Sequence, residues 1–176
     1  KYVDPLPLLP RRPLGGQIVA AEGTHQFHTD MLPARSWGFD GMSHLGPVLE
    51  AQRGEDTVTT FVNALGEHIL AEYIDHRVHG ARKEYAQRPP LVIHLHGAPN
   101  RPVDDGYPTS SMFPGQSVGY RFANSLEATT LWYHDHSMGV TRLNVYAGLA
   151  APYWIRDEFD TGAPDNPRRV HVQLYH

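Results

Sequence analysis

The sequence predicts an all-β fold in which short antiparallel strands form a sandwich. Glycine and proline are abundant, with 16 and 15 residues among 176, and this favours short strands joined by turns. Short runs rich in β-branched and aromatic residues recur between the turns, and no convincing long helix is found. With 40% hydrophobic and 19% charged residues, the chain has the composition of one globular domain that buries a core. Together these features are typical of an antiparallel β-sandwich.

The first half of the chain contains a proline-rich arm and three predicted strands. The arm, residues 1–16, is expected to be extended because its prolines favour extended backbone. A turn-rich passage follows the first strand, and the histidines in or near it are interpreted as ordinary polar residues; they are His25, His28 and His44. The predicted strands cover residues 17–28, 47–52 and 57–63, the last two joined by a turn at Arg53-Gly54.

The second half contains four further strands around a long loop. Residues 67–83 form a polar excursion with one helical turn, and its histidines are expected in loops or at the surface; they are His68, His76 and His79. Trp132 and Trp154 lie in apolar strand runs and are predicted to be core residues. Truncating either one to alanine is expected to lower the free energy of unfolding by about 3–5 kcal/mol. The predicted segments are strands 91–96, 117–124, 129–134 and 148–156, a loop 97–116, and a turn or short helix 137–146. The predicted domain spans residues 17–158, and residues 159–176 are a linker with the possible start of a second domain.

Two pairs of histidines stand at the ends of two of these strands. His94 and His96 are separated by one residue, as are His134 and His136. Because alternate side chains of a strand project from the same face, each pair presents two imidazoles together. Imidazole nitrogen suits copper, zinc, iron and nickel, so the residue type alone selects no metal. Histidine is common in this chain, at 12 residues, and spacing alone therefore leaves an ordinary polar interpretation open.

Composition excludes several classes of function. A net charge of −4 provides no basic footprint for nucleic acid. No apolar run approaches the ~20 residues that a membrane-spanning helix needs, so no membrane partner is expected. No signal-peptide pattern is found at Lys1, and the compartment stays open between cytoplasm and export. The absence of cysteine excludes disulfides, thiolate zinc sites and cysteine-ligated copper within these residues.

Several motifs in a fixed order carry a family resemblance. They are His-Leu-His-Gly at 94–97, Asp-Gly-Tyr-Pro at 105–108, Pro-Gly at 114–115, Trp-Tyr-His-Asp-His at 132–136 and Tyr-Ala-Gly-Leu at 146–149. The chain resembles the first cupredoxin domain of the multicopper oxidases, over about residues 1–158. Within that family it is most similar to the bacterial branch of phenoxazinone synthase (o-aminophenol oxidase), spore-coat laccase and bilirubin oxidase. The resemblance implies a Greek-key, cupredoxin-like β-sandwich.

The resemblance also implies roles for individual residues. His94 would bind a type 2 copper, while His96, His134 and His136 would bind a type 3 copper pair. Together these copper ions form a trinuclear cluster that reduces dioxygen to water, using electrons from a small phenolic or aminophenol substrate. Asp105 would lie near the type 2 copper and help to deliver protons; its simpler interpretation is an Asp-Gly turn residue.

The departures from the family are as informative as the matches. The complete oxidases take further histidines, and a cysteine that ligates the type 1 copper, from a C-terminal cupredoxin domain. This chain contains neither, so the expected partners are the missing C-terminal cupredoxin domains or a second chain, and the chain alone is expected to be inactive. One alternative stays open: a stand-alone copper- or zinc-binding domain without oxidase activity. A metal-dependent hydrolase is excluded, because the residues after the first pair do not continue its motif and a βα alternation is absent.

Overall fold

A computed structural model describes residues 3–163 as strands in two facing sheets, with one short α-helix among those residues. The five-stranded sheet has the order β1-β4-β9-β8-β6, and the four-stranded sheet has the order β3-β2-β5-β7. The elements are β1 (Arg11–Pro13), β2 (Gly16–His25), β3 (Ala34–Phe39), β4 (Val48–Gln52), β5 (Thr57–Asn63), β6 (Ile93–His96), β7 (Ser117–Phe122), β8 (Thr129–Asp135), α1 (Thr141–Ala147) and β9 (Ala150–Arg156).

The predicted β-sandwich is confirmed, but its sheets are mixed and not purely antiparallel. Three neighbouring pairs of the described strands run parallel: β1 with β4, β4 with β9, and β2 with β5. The reason is visible at Arg53-Gly54, where the predicted turn joins β4 of one sheet to β5 of the other. Only a direct hairpin forces two strands to be antiparallel, whereas strands that meet through long crossings can pair in either direction.

The core fills the space between the sheets and is dominated by aromatic side chains. β5 and β9 alternate between buried and partly exposed positions over most of their length, as expected for strands with one face on the core. Edge-to-face contacts such as Phe39 with Phe61, at 6.0 Å between ring centroids, fix how these rings pack. The largest fully buried side chains come from both sheets: Trp37, Tyr133, Tyr153, Phe39, Phe61 and Phe122.

Two of the described strands, β1 and β3, were not predicted. β3 lies in the passage that the sequence marks as turn-rich, yet Trp37 and Phe39 are completely buried. Gly38 is required between them, because a Cβ at this position would clash with the carbonyl oxygen of Met42. The sequence analysis therefore interpreted as a turn residue a glycine that is needed for close packing within a strand.

The remaining predictions concern one short helix and the two ends of the chain. Helix α1 overlaps the turn or short helix predicted at 137–146 and ends one residue beyond it. β1 lies within the predicted proline-rich arm and hydrogen-bonds to β4, so that part of the arm belongs to a sheet. Most of the segment predicted as a linker and possible start of a second domain, residues 159–176, lies outside the described residues, and the domain boundaries stay predictions. No helix in residues 3–163 is long and apolar enough to cross a membrane.

Candidate metal centre

The register between β6 and β8 brings the two histidine pairs together. The strands are antiparallel, with His94 opposite His134 and His96 opposite Trp132. Directly opposed residues share a face of the sheet, so these side chains lie on one side. Leu95, between the first pair, points into the core and is almost completely buried. The alternation of side chains along each strand puts two histidines on one face, and the register between β6 and β8 brings the two pairs together.

All four predicted histidines meet at this place. One ring nitrogen each from His94, His96 and His134 lies within 4.8 Å of the others, close enough for a single metal ion. The Nδ1 atom of His96 is 3.3 Å from the Nε2 atom of His134. The ring of His136 stacks on that of His94, with centroids 4.7 Å apart. Three ligand atoms therefore converge, and the fourth imidazole is their neighbour.

Backbone carbonyl groups orient three of the four rings. In each case the Nδ1 atom donates to a carbonyl oxygen close to the cluster. A carbonyl oxygen can only accept, so each Nδ1 carries the proton and each Nε2 keeps its lone pair for a ligand. The pairs are His94 with Asp105 at 2.5 Å, His134 with Asp135 at 2.6 Å, and His136 with Gly106 at 3.1 Å.

Asp105 lies next to the cluster. Its carboxylate Oδ1 is 3.5 Å from the Nδ1 of His94, and its side chain is 43% exposed. The following Gly106 has a positive φ of 77°, and a Cβ at this position would clash with the carbonyl oxygen of Ile93. The Asp-Gly pair is therefore a turn packed tightly on β6, and it brings two carbonyl groups and one carboxylate to the site.

The electrostatics of the site keep the imidazole of His134 neutral. Burial lowers the pKa of His134 to about 4, and the three other histidines of the cluster act in the same direction. A neutral imidazole with a free nitrogen is the form that binds a metal ion. Copper and zinc both accept such donors, so the residues fit the copper that the resemblance implies.

The two tryptophans predicted for the core lie elsewhere. Trp132 is 40% exposed and stacks on the rings of His134 and His96, at 4.0 and 5.1 Å between centroids. Trp154 is half-buried, with the guanidinium of Arg156 over its ring. The prediction was wrong because it used apolar strand content and ignored the period of two. Trp132 is two positions from His134 and therefore shares its face.

Sequence reasoning also missed a buried polar group directly behind the histidines. Asp135 is completely buried, and burial raises its pKa to about 6 although four hydrogen-bond donors oppose that shift. Asn144 of α1 donates to this carboxylate, and the Nε2 of His68 lies 2.9 Å from the side-chain oxygen of Asn144. His68, expected in a loop or at the surface, is only 3% exposed. A signal did exist in the spacing, since Asp135 alternates with two histidines and so faces the core.

Comparisons with known proteins agree with the fold. A family model described as multicopper oxidase matches residues 84–160, which include Asp105 and all four clustered histidines. The matched residues form a multicopper oxidase domain. The chain is 37% identical over 153 residues to a laccase of Bacillus subtilis, covering 80% of this chain and 29% of that protein. It is 34% identical over 134 residues to the bilirubin oxidase of Albifimbria verrucaria, covering 76% of this chain and 19% of that protein.

Solved multicopper oxidases share the fold. The crystal structure of a laccase from Pediococcus acidilactici superposes with a TM-score of 0.70 and 24% sequence identity, covering 90% of this chain and 31% of that one. This likeness confirms a cupredoxin-like multicopper oxidase fold. The chain spans less than a third of the length of each of these three relatives.

Proposed function

We propose that this chain contributes half of a trinuclear copper site to a multicopper oxidase that oxidises phenolic or aminophenol-type substrates and reduces dioxygen to water. The observation that carries the proposal is the convergence of three histidine nitrogens within 4.8 Å, with His136 stacked beside them. Both histidine pairs lie in the region that matches the family. The laccase and bilirubin oxidase names of the relatives support the class of substrate.

Each histidine has a proposed place in the site. His94 binds the type 2 copper, and His96, His134 and His136 bind the type 3 pair. The unprotonated Nε2 atoms of three of these rings support the assignment, because backbone carbonyl groups already hold their Nδ1 protons. The bound copper ions would supply electrons to dioxygen.

Asp105 is proposed to move protons. Its carboxylate lies 3.5 Å from the Nδ1 of His94 and is partly exposed, so it can exchange protons with solvent while it faces the site. The backbone carbonyl of the same residue accepts the Nδ1 proton of His94, so the turn that carries the carboxylate also holds the imidazole. This double contact favours the proton role over a turn residue alone.

The remaining parts of the oxidase are proposed to come from other polypeptide. With no cysteine among them, these 176 residues cannot provide a cysteine-ligated type 1 copper, where the reducing substrate delivers electrons. We propose that C-terminal cupredoxin domains, in the same chain or in a second one, provide this copper and the other ligands of the trinuclear site. The curated relatives extend well beyond the matched region, which supports this arrangement.

A second function is favoured by one feature of the cluster. Three nitrogen ligands converge within this chain alone, and three or four ligands suffice for a mononuclear copper or zinc site. The alternative is therefore a stand-alone metal-binding domain without oxidase activity.

Oxygen uptake by the copper-loaded 176-residue chain, with an aminophenol or phenolic donor, tests the need for other polypeptide. We expect no sustained uptake, because half a cluster without an electron-entry copper has no route for turnover. Sustained uptake that disappears in His94→Ala would show a self-contained oxidase site and would contradict the proposal. Free copper in the same buffer is the control.

Substitution in a complete oxidase separates the two functions. We expect His134→Ala or His136→Ala to abolish dioxygen reduction while the type 1 copper still accepts electrons. The measurement is anaerobic bleaching of the blue band, followed by addition of oxygen. Reoxidation at the normal rate in both variants would remove these residues from the trinuclear site and favour the stand-alone alternative.

A further inference from the structure

A carboxylate is buried directly beneath the histidine cluster. His134 and His136 share one face at the end of β8, and Asp135 between them turns to the core side, where it is paired with Ile93. A carboxylate in a core is costly unless hydrogen bonds satisfy it. The neighbours of Asp135 therefore decide what this residue can do.

Four donors surround the carboxylate and satisfy both oxygens. Oδ1 accepts the backbone N–H of Val92 at 3.0 Å and the hydroxyl of Ser137 at 2.7 Å. Oδ2 accepts the backbone N–H of Ser137 at 3.0 Å and the side-chain amide of Asn144 at 3.0 Å. One side chain thus ties the residue before β6, the segment after β8 and helix α1 to a single point.

Val92 forms hydrogen bonds with two consecutive residues, Asp135 and His136. Val92 donates to the carboxylate of Asp135, and the backbone N–H of His136 donates to the carbonyl oxygen of Val92 at 2.8 Å. This bridge continues the β6–β8 pairing past the end of β8 and fixes the register that sets His94 opposite His134. A slip of one residue would turn the histidines of one strand to the other face of the sheet.

Asn144 anchors the carboxylate to the rest of the fold. Its amide donates to Asp135 and to the carbonyl oxygen of Pro90 at 3.1 Å, and its side-chain oxygen contacts the Nε2 of His68. The Nδ1 of His68 accepts the backbone N–H of Leu70 at 3.0 Å, so the proton of this ring is on Nε2 and points at Asn144. Asn144 is completely buried, and all its side-chain polar atoms are paired. The chain of contacts is therefore rigid.

We propose that Asp135, held by Asn144, is a positioning residue that fixes the tautomer and orientation of His134 and His136. The backbone carbonyl of Asp135 receives the Nδ1 proton of His134. Its carboxylate accepts the backbone N–H groups of Val92, which pairs with His136, and of Ser137, which follows it. These bonds hold the His136 backbone where its Nδ1 reaches the carbonyl oxygen of Gly106. The consequence for metal binding rests on the proposed copper site, but the arrangement of the imidazoles is a property of the chain itself.

Nuclear magnetic resonance of the imidazole nitrogens in the metal-free 176-residue chain tests the proposal. Long-range proton–nitrogen correlations distinguish Nδ1–H from Nε2–H rings. We expect single Nδ1–H tautomers at His134 and His136 in the parent chain. Asp135→Asn should give mixed tautomers at both, because an amide NH₂ group would replace one oxygen and face hydrogen-bond donors. Ser137→Ala removes one of the four donors. It should give a smaller population of the Nε2–H tautomer than Asp135→Asn does.

Tyr153→Phe is the matched control. Tyr153 lies on β9, the strand next to β8, and away from the histidines. Its hydroxyl donates to the side-chain oxygen of Asn124 in the core. The variant loses a buried hydrogen bond but no contact to the cluster, so His134 and His136 should keep their tautomers. The same mixing in Tyr153→Phe would overturn the proposal, as would unchanged tautomers in folded Asp135→Asn. If Asp135→Asn does not fold, unchanged tautomers in Ser137→Ala would overturn it instead.

A copper titration of the same proteins separates this inference from the proposed function. Loss of a group that holds a metal ligand typically lowers metal affinity by about 10–100-fold, and we expect such a loss in Asp135→Asn. A parent chain that binds no copper would contradict the proposed metal site, while the tautomer comparison would still decide the role of Asp135.

Discussion

The two faces of β6 and β8 differ in what they contribute to the protein. On the outer face, His94, His96 and His134 converge, with Trp132 stacked on two of the rings. On the inner face, side chains such as Leu95 are packed into the aromatic core with almost no exposure. Both faces belong to the same two short strands, and only the alternation of side chains separates them.

This difference shows how a strand can carry a reactive site at little cost to stability. The inner side chains bury apolar surface and hold the register. Three of the outer imidazoles keep an unprotonated Nε2 atom that a metal ion can bind. Asp135 is the exception, since it lies on the inner face and serves the outer one. Substitutions on the two faces should therefore separate metal binding from stability.

The largest expected effect is on copper binding by an outer residue. His94→Ala should lower the affinity of the chain for Cu²⁺ by more than about 100-fold, because losing a ligand costs more than losing a ligand's partner. Its denaturant midpoint should move little. A competition titration with a chelator measures the affinity, with His79→Ala, an exposed histidine outside the cluster, as the matched control. Equal losses in the two variants would remove the distinction between clustered and scattered histidines.

An inner residue should show the opposite result. Leu95→Ala should lower the free energy of unfolding by about 2–5 kcal/mol, because it leaves a cavity between the sheets. A urea titration measures this change. The cluster in the folded molecules should still bind copper. A loss below about 1 kcal/mol would mean that the inner face is less tightly packed than its burial indicates.

A buried and an exposed tryptophan, Trp37 and Trp132, allow the same comparison with side chains of equal size. Trp37 is completely buried, so Trp37→Ala should cost about 3–5 kcal/mol. Trp132 is 40% exposed, so Trp132→Ala should cost less than about 1 kcal/mol. Parallel denaturant titrations of the two variants test the ranking. A reversed order would return Trp132 to the core, where its strand run alone had placed it.

The smallest expected effect concerns pH and the buried histidine behind the site. Burial lowers the pKa of His68, so between its folded and unfolded values the unfolded chain binds a proton that the folded chain does not. Stability should therefore fall as pH drops below the ordinary histidine pKa, by at most about 1.4 kcal/mol per pH unit from this group. His68→Gln should make that fall shallower in urea titrations at successive pH values. An unchanged slope would show that other groups dominate.

Much of the fold could be predicted because its signals are local. The β-branched and aromatic run that forms β8, and the alternation in β5, are properties of a few consecutive residues. Pairing between strands is not local, and the turn at Arg53-Gly54 was found without showing that its two strands belong to different sheets. β3 was missed because Gly38, needed for close packing, resembles a turn residue.

The sequence by itself determined the histidine pairs, since a spacing of two residues on a strand puts both imidazoles on one face whatever the rest of the chain does. Only the tertiary structure decided that His94 meets His134, because that depends on a register between strands that are far apart in the sequence. It alone also placed Trp132 outside the core and joined Asp135 to Asn144. These contacts depend on which buried donors face which acceptors, and that is settled when the sheets and the helix pack together.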